Sequence, residues 1–221
     1  MQVVATHTDA VEELLIEEHA AVPRECSGFS LRTLTGAQFR SIAASVHPQG
    51  IIAVVRIPPD CYQTTLPPDP GNRIVLLEDI QDPGNVGTMI RNVAAFGCSG
   101  VLLSRQCADP FGPKAVQSSA GAVLVPWIRR GDHYLDAVVA LKKKGFRLYG
   151  ADVRGGDAVD FTNVKRSVIA FRNEGTGLSD RLLKLADCRF SIPMRREAVE
   201  SLNVAAAGAI TLFAAFGKSG W

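Results

Sequence analysis

From position 73 to 216 the chain alternates short apolar runs with helical stretches, and several of the switches fall on glycine. The pattern predicts strands over 73–77, 100–103, 124–128, 147–151, 167–171 and 190–192. Helices are expected over 85–96, 113–119, 132–144, 180–185 and 201–216. Short, wholly apolar strands separated by helices argue a parallel sheet covered on both faces. Such a sheet binds ligands outside the carboxyl ends of its strands. The fold class is therefore α/β, and the segments that leave strands are where chemistry is to be sought.

A boundary precedes this pattern. Residues 58–71 (PPDCYQTTLPPDPG) hold five of the twelve prolines and read as a linker or long surface loop. Before them, 1–57 form a small unit. Residues 10–19 read as an amphipathic helix, Thr35 caps a helix reaching 44, and 50–57 read as a buried strand. So thin a core leans on the larger domain or belongs to a bigger module. The division expected is 1–57, linker 58–71, and a main domain over 72–221.

Composition excludes several classes. With 47% hydrophobic and 21% charged residues the chain is neither disordered nor a disulfide miniprotein. The uncharged run 204–217 is too short to span a bilayer, and no signal peptide is evident, so no membrane role is expected. The net charge of +2 does not announce a nucleic-acid partner. It is uneven, however: residues 1–57 carry −2 and the rest +4, so a polyanion site is sought in the later part. Five cysteines, an odd number without CxxC spacing, read as reduced thiols of a cytoplasmic protein. His7, His19, His47 and His133 are scattered without ligand spacing, and no metal is expected.

Three segments carry polar residues where an α/β sheet places its ligands. In Asp82-Pro83-Gly84-Asn85-Val86-Gly87, two glycines allow close backbone approach, Asn85 can cap the helix, and the helix start favours anions. Arg91, nearly two turns on, can grip a phosphate. Read alone, the segment is equally a capped helix with a solvated arginine. It is neither a dinucleotide fingerprint nor a Walker A loop. In Asn173-Glu174-Gly175-Thr176-Gly177-Leu178-Ser179, a strand end enters a glycine-rich turn, which is equally a turn with Ser179 or Asp180 as cap. In Ile192-Pro193-Met194 followed by Ser201-Leu202-Asn203-Val204-Ala205, Ser201 and Asn203 stand at the mouth of an apolar helix, and by themselves read first as capping residues. The small residues 205–209 suggest tight packing against another backbone.

Taken together and in this order, the three segments resemble the SpoU/TrmH branch of the SPOUT superfamily, RNA 2′-O-ribose methyltransferases that use S-adenosylmethionine. The resemblance spans roughly 73–216 and includes the intervening Pro113-Lys114-Ala115-Val116-Gln117-Ser118-Ser119. It implies a SPOUT-type sheet flanked by helices, with a C-terminal trefoil knot that completes its site in a homodimer. The end of the first unit, His47-Pro48-Gln49-Gly50-Ile51, is similar to part of an L30e-like substrate-binding domain whose usual first half is missing here.

By the same resemblance, Asn85, Arg91, Glu174, Ser201 and Asn203 are the catalytic candidates. Asn173, Gly175, Gly177, Ile192, Met194 and Leu202 are expected to hold S-adenosylmethionine. The substrate implied is structured RNA, 23S-type ribosomal RNA before transfer RNA. Two features depart from the family pattern. Arg172 stands where glycine usually precedes Asn-Glu-Gly, and its bulk would be expected to crowd the cofactor. The stretch 195–199 is about one residue longer than usual. Arg172 motivates a rival reading, a SPOUT-fold protein that binds RNA without catalysis.

Overall fold

The structure is a computed structural model, and it describes residues 7–43, 48–152, 165–173, 177–195 and 197–217. The chain divides into two compact units, Met1–Pro59 and Asp60–Trp221.

In the first unit, strand β1 (Val11–Glu17) is central. It pairs in parallel with β2 (Leu31–Leu34) and antiparallel with β3 (Ile51–Val55). The helix expected over 10–19 is not formed. Val11, Leu14 and Leu15 fit a helical stripe, but Leu14 and Ile16 fit a period of two equally well. Two pairing partners decide between them. As a strand, Leu14 and Ile16 are buried against Cys26, Phe29 and Ile51. Glu13 reaches Arg32 on β2 and Glu12 reaches Arg56 just beyond β3, each at 3.0 Å. Helix α1 (Gly36–Ile42) follows Thr35, whose side chain accepts from Gln38 N while the Gln38 side chain accepts from Thr35 N.

The second unit is built on six parallel strands in the order β6-β5-β4-β8-β7-β9. They are β4 (Arg73–Glu78), β5 (Gly100–Ser104), β6 (Trp127–Gly131), β7 (Arg147–Ala151), β8 (Ser167–Arg172) and β9 (Cys188–Phe190). Alternate residues feed opposite faces. Val75, Leu77, Val101, Leu103, Ile169 and Phe171 pack under α2 (Pro83–Ala95) and α6 (Val204–Phe216). Ile74, Leu76, Leu102, Leu148, Val168 and Ala170 pack under α4 (Tyr134–Lys143) and α5 (Asp180–Leu185). This double burial is why the strands read as continuous apolar runs.

Helix α3 (Pro113–Ser119) lies so close to α2 that a Cβ on Gly87 would stand 2.2 Å from the Ala115 carbonyl oxygen. Gly87 thus serves helix packing rather than the approach of an anion. Gly208 plays the same part on α6, where a Cβ would meet Met89 Sδ at 2.2 Å. The small residues expected to pack tightly therefore do so against α2.

Two strands are displaced from their expected positions. Residues Ala122–Leu124 form a 3-10 turn, and β6 begins at Trp127. Its Arg129 and Arg130 disguise it in sequence. From Asp60 onward, the proline-rich stretch is a surface loop laid along β6. Arg129 pairs with Asp60 and donates to the Thr65 carbonyl at 2.8 Å, and Trp127 Nε1 donates to the Pro70 carbonyl at 3.1 Å. The last strand ends at Phe190 rather than beginning there, which leaves Ile192 beyond the sheet edge.

Candidate active site at the carboxyl ends of the strands

Helix α2 starts directly after β4. Its cap is Asp82 and not Asn85: the Asp82 carboxylate accepts from Gly84 N at 3.2 Å and Asn85 N at 3.3 Å. Lys114 on α3 donates to the same carboxylate at 2.8 Å and holds its pKa below the ordinary value. The start of α2 is therefore already supplied with a negative charge from within the chain.

With the cap filled, the Asn85 side chain is available elsewhere. Its Oδ1 accepts from Asn203 Nδ2 at 3.0 Å, across 118 residues of chain. Asn203 in turn caps α6, its Oδ1 accepting from Ala205 N and Ala206 N. Asn92 Nδ2 donates to the Ala205 carbonyl one turn further on, which fixes α2 against α6. Two candidates from opposite ends of the unit thus meet. Arg91 stands apart: it is exposed and forms no hydrogen bond or ion pair with the described residues. Ser201 is half-buried on the approach to α6.

Beside this pair opens a cleft of about 410 Å³, counted to its mouth. Ala151, Phe171 and Phe190, at the ends of β7, β8 and β9, form its floor. Ile192, Met194 and Leu202 line it from the segments that follow. Phe171 and Phe190 meet edge to face at 6.4 Å. Asp152, only 5% exposed, brings a carboxylate to the mostly apolar wall, beside Ser191. Flat apolar walls with one buried acid suit a ligand that carries an aromatic base and polar substituents.

Behind the cleft lies a polar network that the sequence did not announce. Glu78, the last residue of β4, is fully buried. Its Oε2 accepts from Ser179 N at 2.7 Å, and its Oε1 accepts from Ser179 Oγ at 2.6 Å and Tyr134 Oη at 2.5 Å. Burial, and then the bond to Glu78, push the Tyr134 phenol well above its ordinary pKa, so it stays a donor. Arg172 joins from β8. Its guanidinium donates to Asp79 Oδ2 at 2.7 Å and to the Gly177 carbonyl at 2.9 Å, with Nε 3.5 Å from Glu78 Oε2. Asp79, at φ +54, is also tied to Ser104, which donates to its Oδ1 at 2.8 Å. The Arg172 side chain is thus spent on two acids and a backbone carbonyl. It ties the far end of the glycine-rich turn to β4.

Of the other expected cofactor residues, Gly177 sits in this network at φ +63 and Asn173 is exposed at the end of β8. Glu174 and Gly175 lie outside the described residues. Ser179 caps α5 as the sequence suggested, its Oγ accepting from Leu182 N, whereas Glu78 and Asp152 were not among the sequence candidates. The available signal for those two was their position at or just after strand ends of a parallel sheet. Among the described residues, no group of three or more His, Cys, Asp or Glu is placed to hold a metal ion. Among them, no helix is long and apolar enough to cross a membrane.

Fold and cleft together define a parallel α/β protein with an open cleft outside the ends of its strands. A profile of the SpoU rRNA Methylase family matches residues 72–213, and the chain belongs to that family. It is 31% identical over 209 residues to the 23S rRNA (guanosine(2553)-2′-O)-methyltransferase RlmP of Bacillus subtilis, covering 92% of this chain and 79% of that one. It is 32% identical over 183 residues to an uncharacterized tRNA/rRNA methyltransferase of Synechocystis, covering 82% of this chain and 65% of that protein. Among solved structures, it is similar to the SpoU methyltransferase AviRb from Streptomyces viridochromogenes in complex with AdoMet. The TM-score is 0.81 at 26% identity, over all of this chain and 88% of that one. A putative RNA methyltransferase of the TrmH family from Porphyromonas gingivalis gives a TM-score of 0.80 at 27% identity, over 98% of this chain and 87% of that one.

Proposed function

We propose that this chain transfers a methyl group from S-adenosylmethionine to a ribose 2′-hydroxyl of structured RNA, with 23S-type ribosomal RNA favoured over transfer RNA. The observation that supports this most is the meeting of Asn85 and Asn203 beside a cleft lined by Ile192, Met194 and Leu202. Membership of the SpoU rRNA Methylase family supplies the reaction class.

The cleft fits the cofactor: its apolar walls suit an adenine ring, and Asp152 offers an acceptor to the polar part. Ile192, Met194 and Leu202 would hold it there, with Asn173, Gly175 and Gly177 from the glycine-rich turn. When bound, S-adenosylmethionine supplies an electrophilic methyl on a positively charged sulfur. A ribose hydroxyl is a poor nucleophile and must be oriented and helped to lose its proton. A guanidinium stays protonated, so Arg91 acts as a charge and not as a base. It holds the phosphate beside the reacting ribose and lowers the hydroxyl pKa. Asn85, Glu174, Ser201 and Asn203 would orient the ribose and Arg91, and the proton released from the 2′-hydroxyl would pass to water.

The finer architecture belongs to the same proposal. The C-terminal part threads into a trefoil knot, and the first unit is part of an L30e-like substrate-binding domain. The active form is a homodimer in the cytoplasm. For the dimer, α6 offers an exposed apolar stripe of Ala206, Ile210, Phe213 and Ala214, with Phe213 60% exposed. The rival reading of RNA binding without catalysis rests on Arg172 crowding the cofactor. The bonds of Arg172 to Asp79 and the Gly177 carbonyl speak for the catalytic reading over this rival.

The test is transfer of labelled methyl from S-adenosylmethionine to unmodified ribosomal and transfer RNA, followed by digestion to nucleosides. Label in a 2′-O-methyl nucleoside of one RNA class is expected. RNA binding without label would overturn the proposal in favour of the rival.

A further inference from the structure

The opposite edge of the sheet carries a second polar surface that the proposed reaction does not use. Strands β4, β8 and β7 are neighbours in register, with Arg73 opposite Ser167 and Ser167 opposite Arg147. Their amino ends therefore form one row, and Lys165 and Arg166 enter β8 as Lys144 leaves α4 toward β7. Between them lies a groove of about 1030 Å³, counted to its open mouth, lined by Asn72, Arg73, Lys144, Gly145, Lys165 and Arg166. It holds four cations and no carboxylate.

Elsewhere on the chain, Arg32, Arg40, Arg56, Arg105, Lys114, Arg129, Lys142 and Arg172 each face an acid, while others such as Arg91 and Arg181 stand singly without one among the described residues. Among the described residues, none of the four groove cations faces an acid. Asp187, just before β9, is taken by Lys142 at 2.7 Å and by Leu148 N at 2.8 Å. Two of the cations are also held in place. Arg166 donates to Asn72 Oδ1 at 3.2 Å and to the Lys144 carbonyl at 2.8 Å, and stacks over Phe146. Arg73 lies over the Phe216 ring at 4.5 Å. Each guanidinium keeps donors to spare, because five N–H groups are available on each. Concentrated, uncompensated and partly preorganised positive charge is a surface for a chain of phosphates.

We propose that this groove binds the phosphodiester backbone of the substrate RNA at a point remote from the methylated ribose. It rests on the RNA methyltransferase reading and adds to it a second grip at the amino edge. The three strands span roughly 10 Å at about 4.8 Å per strand, enough for more than one phosphate. Contacts of this kind fix position and carry no sequence information. The groove therefore raises affinity and register for structured RNA, and leaves selection of the nucleotide to the carboxyl edge.

The experiment compares the full chain with the double variant Lys144→Glu, Lys165→Glu. Binding to a 23S ribosomal RNA fragment is titrated over a range of salt, beside melting and S-adenosylmethionine titrations on both proteins. The variant is expected to lose about tenfold or more in RNA affinity, with a salt slope shallower by about 1.5. Its melting midpoint and cofactor affinity should match the parent. Equal affinity and equal slope in parent and variant would overturn the groove. So would polyglutamate competing as well as RNA of equal charge, which would assign the groove to acidic protein. A parent that shows the groove-dependent RNA binding but transfers no methyl would overturn the reaction and leave the groove standing.

Discussion

At the carboxyl edge of the six-stranded sheet, two acids and a guanidinium are paired with one another, while Arg91 on α2 is left exposed. Glu78 is fully buried, and Arg172 is divided between Asp79 and a backbone carbonyl. At the amino edge, Lys144, Lys165 and Arg166 are exposed and without counter-charge among the described residues. The two edges belong to the same strands, often only six residues apart. In a sheet whose strands all run one way, every last residue falls on one edge and every first residue on the other. The paired charges at the first edge tie β4 to β8 and to the start of α5. The cations at the second have no counter-charge among the described residues.

That contrast makes predictions of graded size. The largest concerns Glu78. Glu78→Ala removes the acceptor of Ser179 N, Ser179 Oγ and Tyr134 Oη and strands part of the Arg172 charge. A cost of about 3 kcal/mol or more is expected in denaturant unfolding. An effect below about 1 kcal/mol would show that this edge is no more built than the other. Arg172→Gly removes the side chain and sharpens the same point. It should cost about 2 kcal/mol and weaken S-adenosylmethionine binding in a titration, because Gly177 loses its tie to Asp79. Tighter binding would mean that the side chain crowds the cleft after all.

The strands and helices of the main unit were legible because apolar runs bounded by glycine or proline leave little choice of period. Helix Pro113–Ser119 and strand Arg147–Ala151 fall where expected to the residue. What failed depended on partners distant in sequence. Val11–Glu17 is a strand because 31–34 and 51–55 flank it, and no local pattern contains them. Strand β6 was sought three residues too early because Arg129 and Arg130 look like surface residues until the loop from Asp60 covers them. The site divides in the same way. Resemblance brought Asn85 and Asn203 forward as candidates, but no spacing could say that they touch. Glu78 was not singled out, since Tyr134 and Ser179 lie 56 and 101 residues away. Asp82 was passed over as the cap in favour of Asn85, although it directly precedes the proline at the first helical position.

That cap supplies a smaller prediction. Asp82→Ala should cost about 1 kcal/mol at neutral pH. Lys114 holds the Asp82 pKa below the ordinary carboxylate value. The contribution is therefore full above about pH 4. It is lost as the pH falls through the lower, folded value, and parent and variant should converge there in acid melts. The smallest effect concerns the thiols. Burial pushes Cys98 up to about 12 and also raises Cys61 and Cys107, while Cys188 is only half-buried. A thiol reagent should modify Cys188 first in the folded protein and the other four only on unfolding.

The central claim is that the two edges do different work on one RNA, and steady-state methyl transfer tests it most directly. Labelled transfer to 23S ribosomal RNA would be measured against RNA concentration for the parent, for Arg91→Ala, and for the Lys144→Glu, Lys165→Glu pair. Arg91→Ala is expected to lower kcat by about 100-fold, and the groove pair to raise KM for RNA by about tenfold. If both variants moved the same constant, or if the groove pair fell chiefly in kcat, the division of labour between the edges would be contradicted.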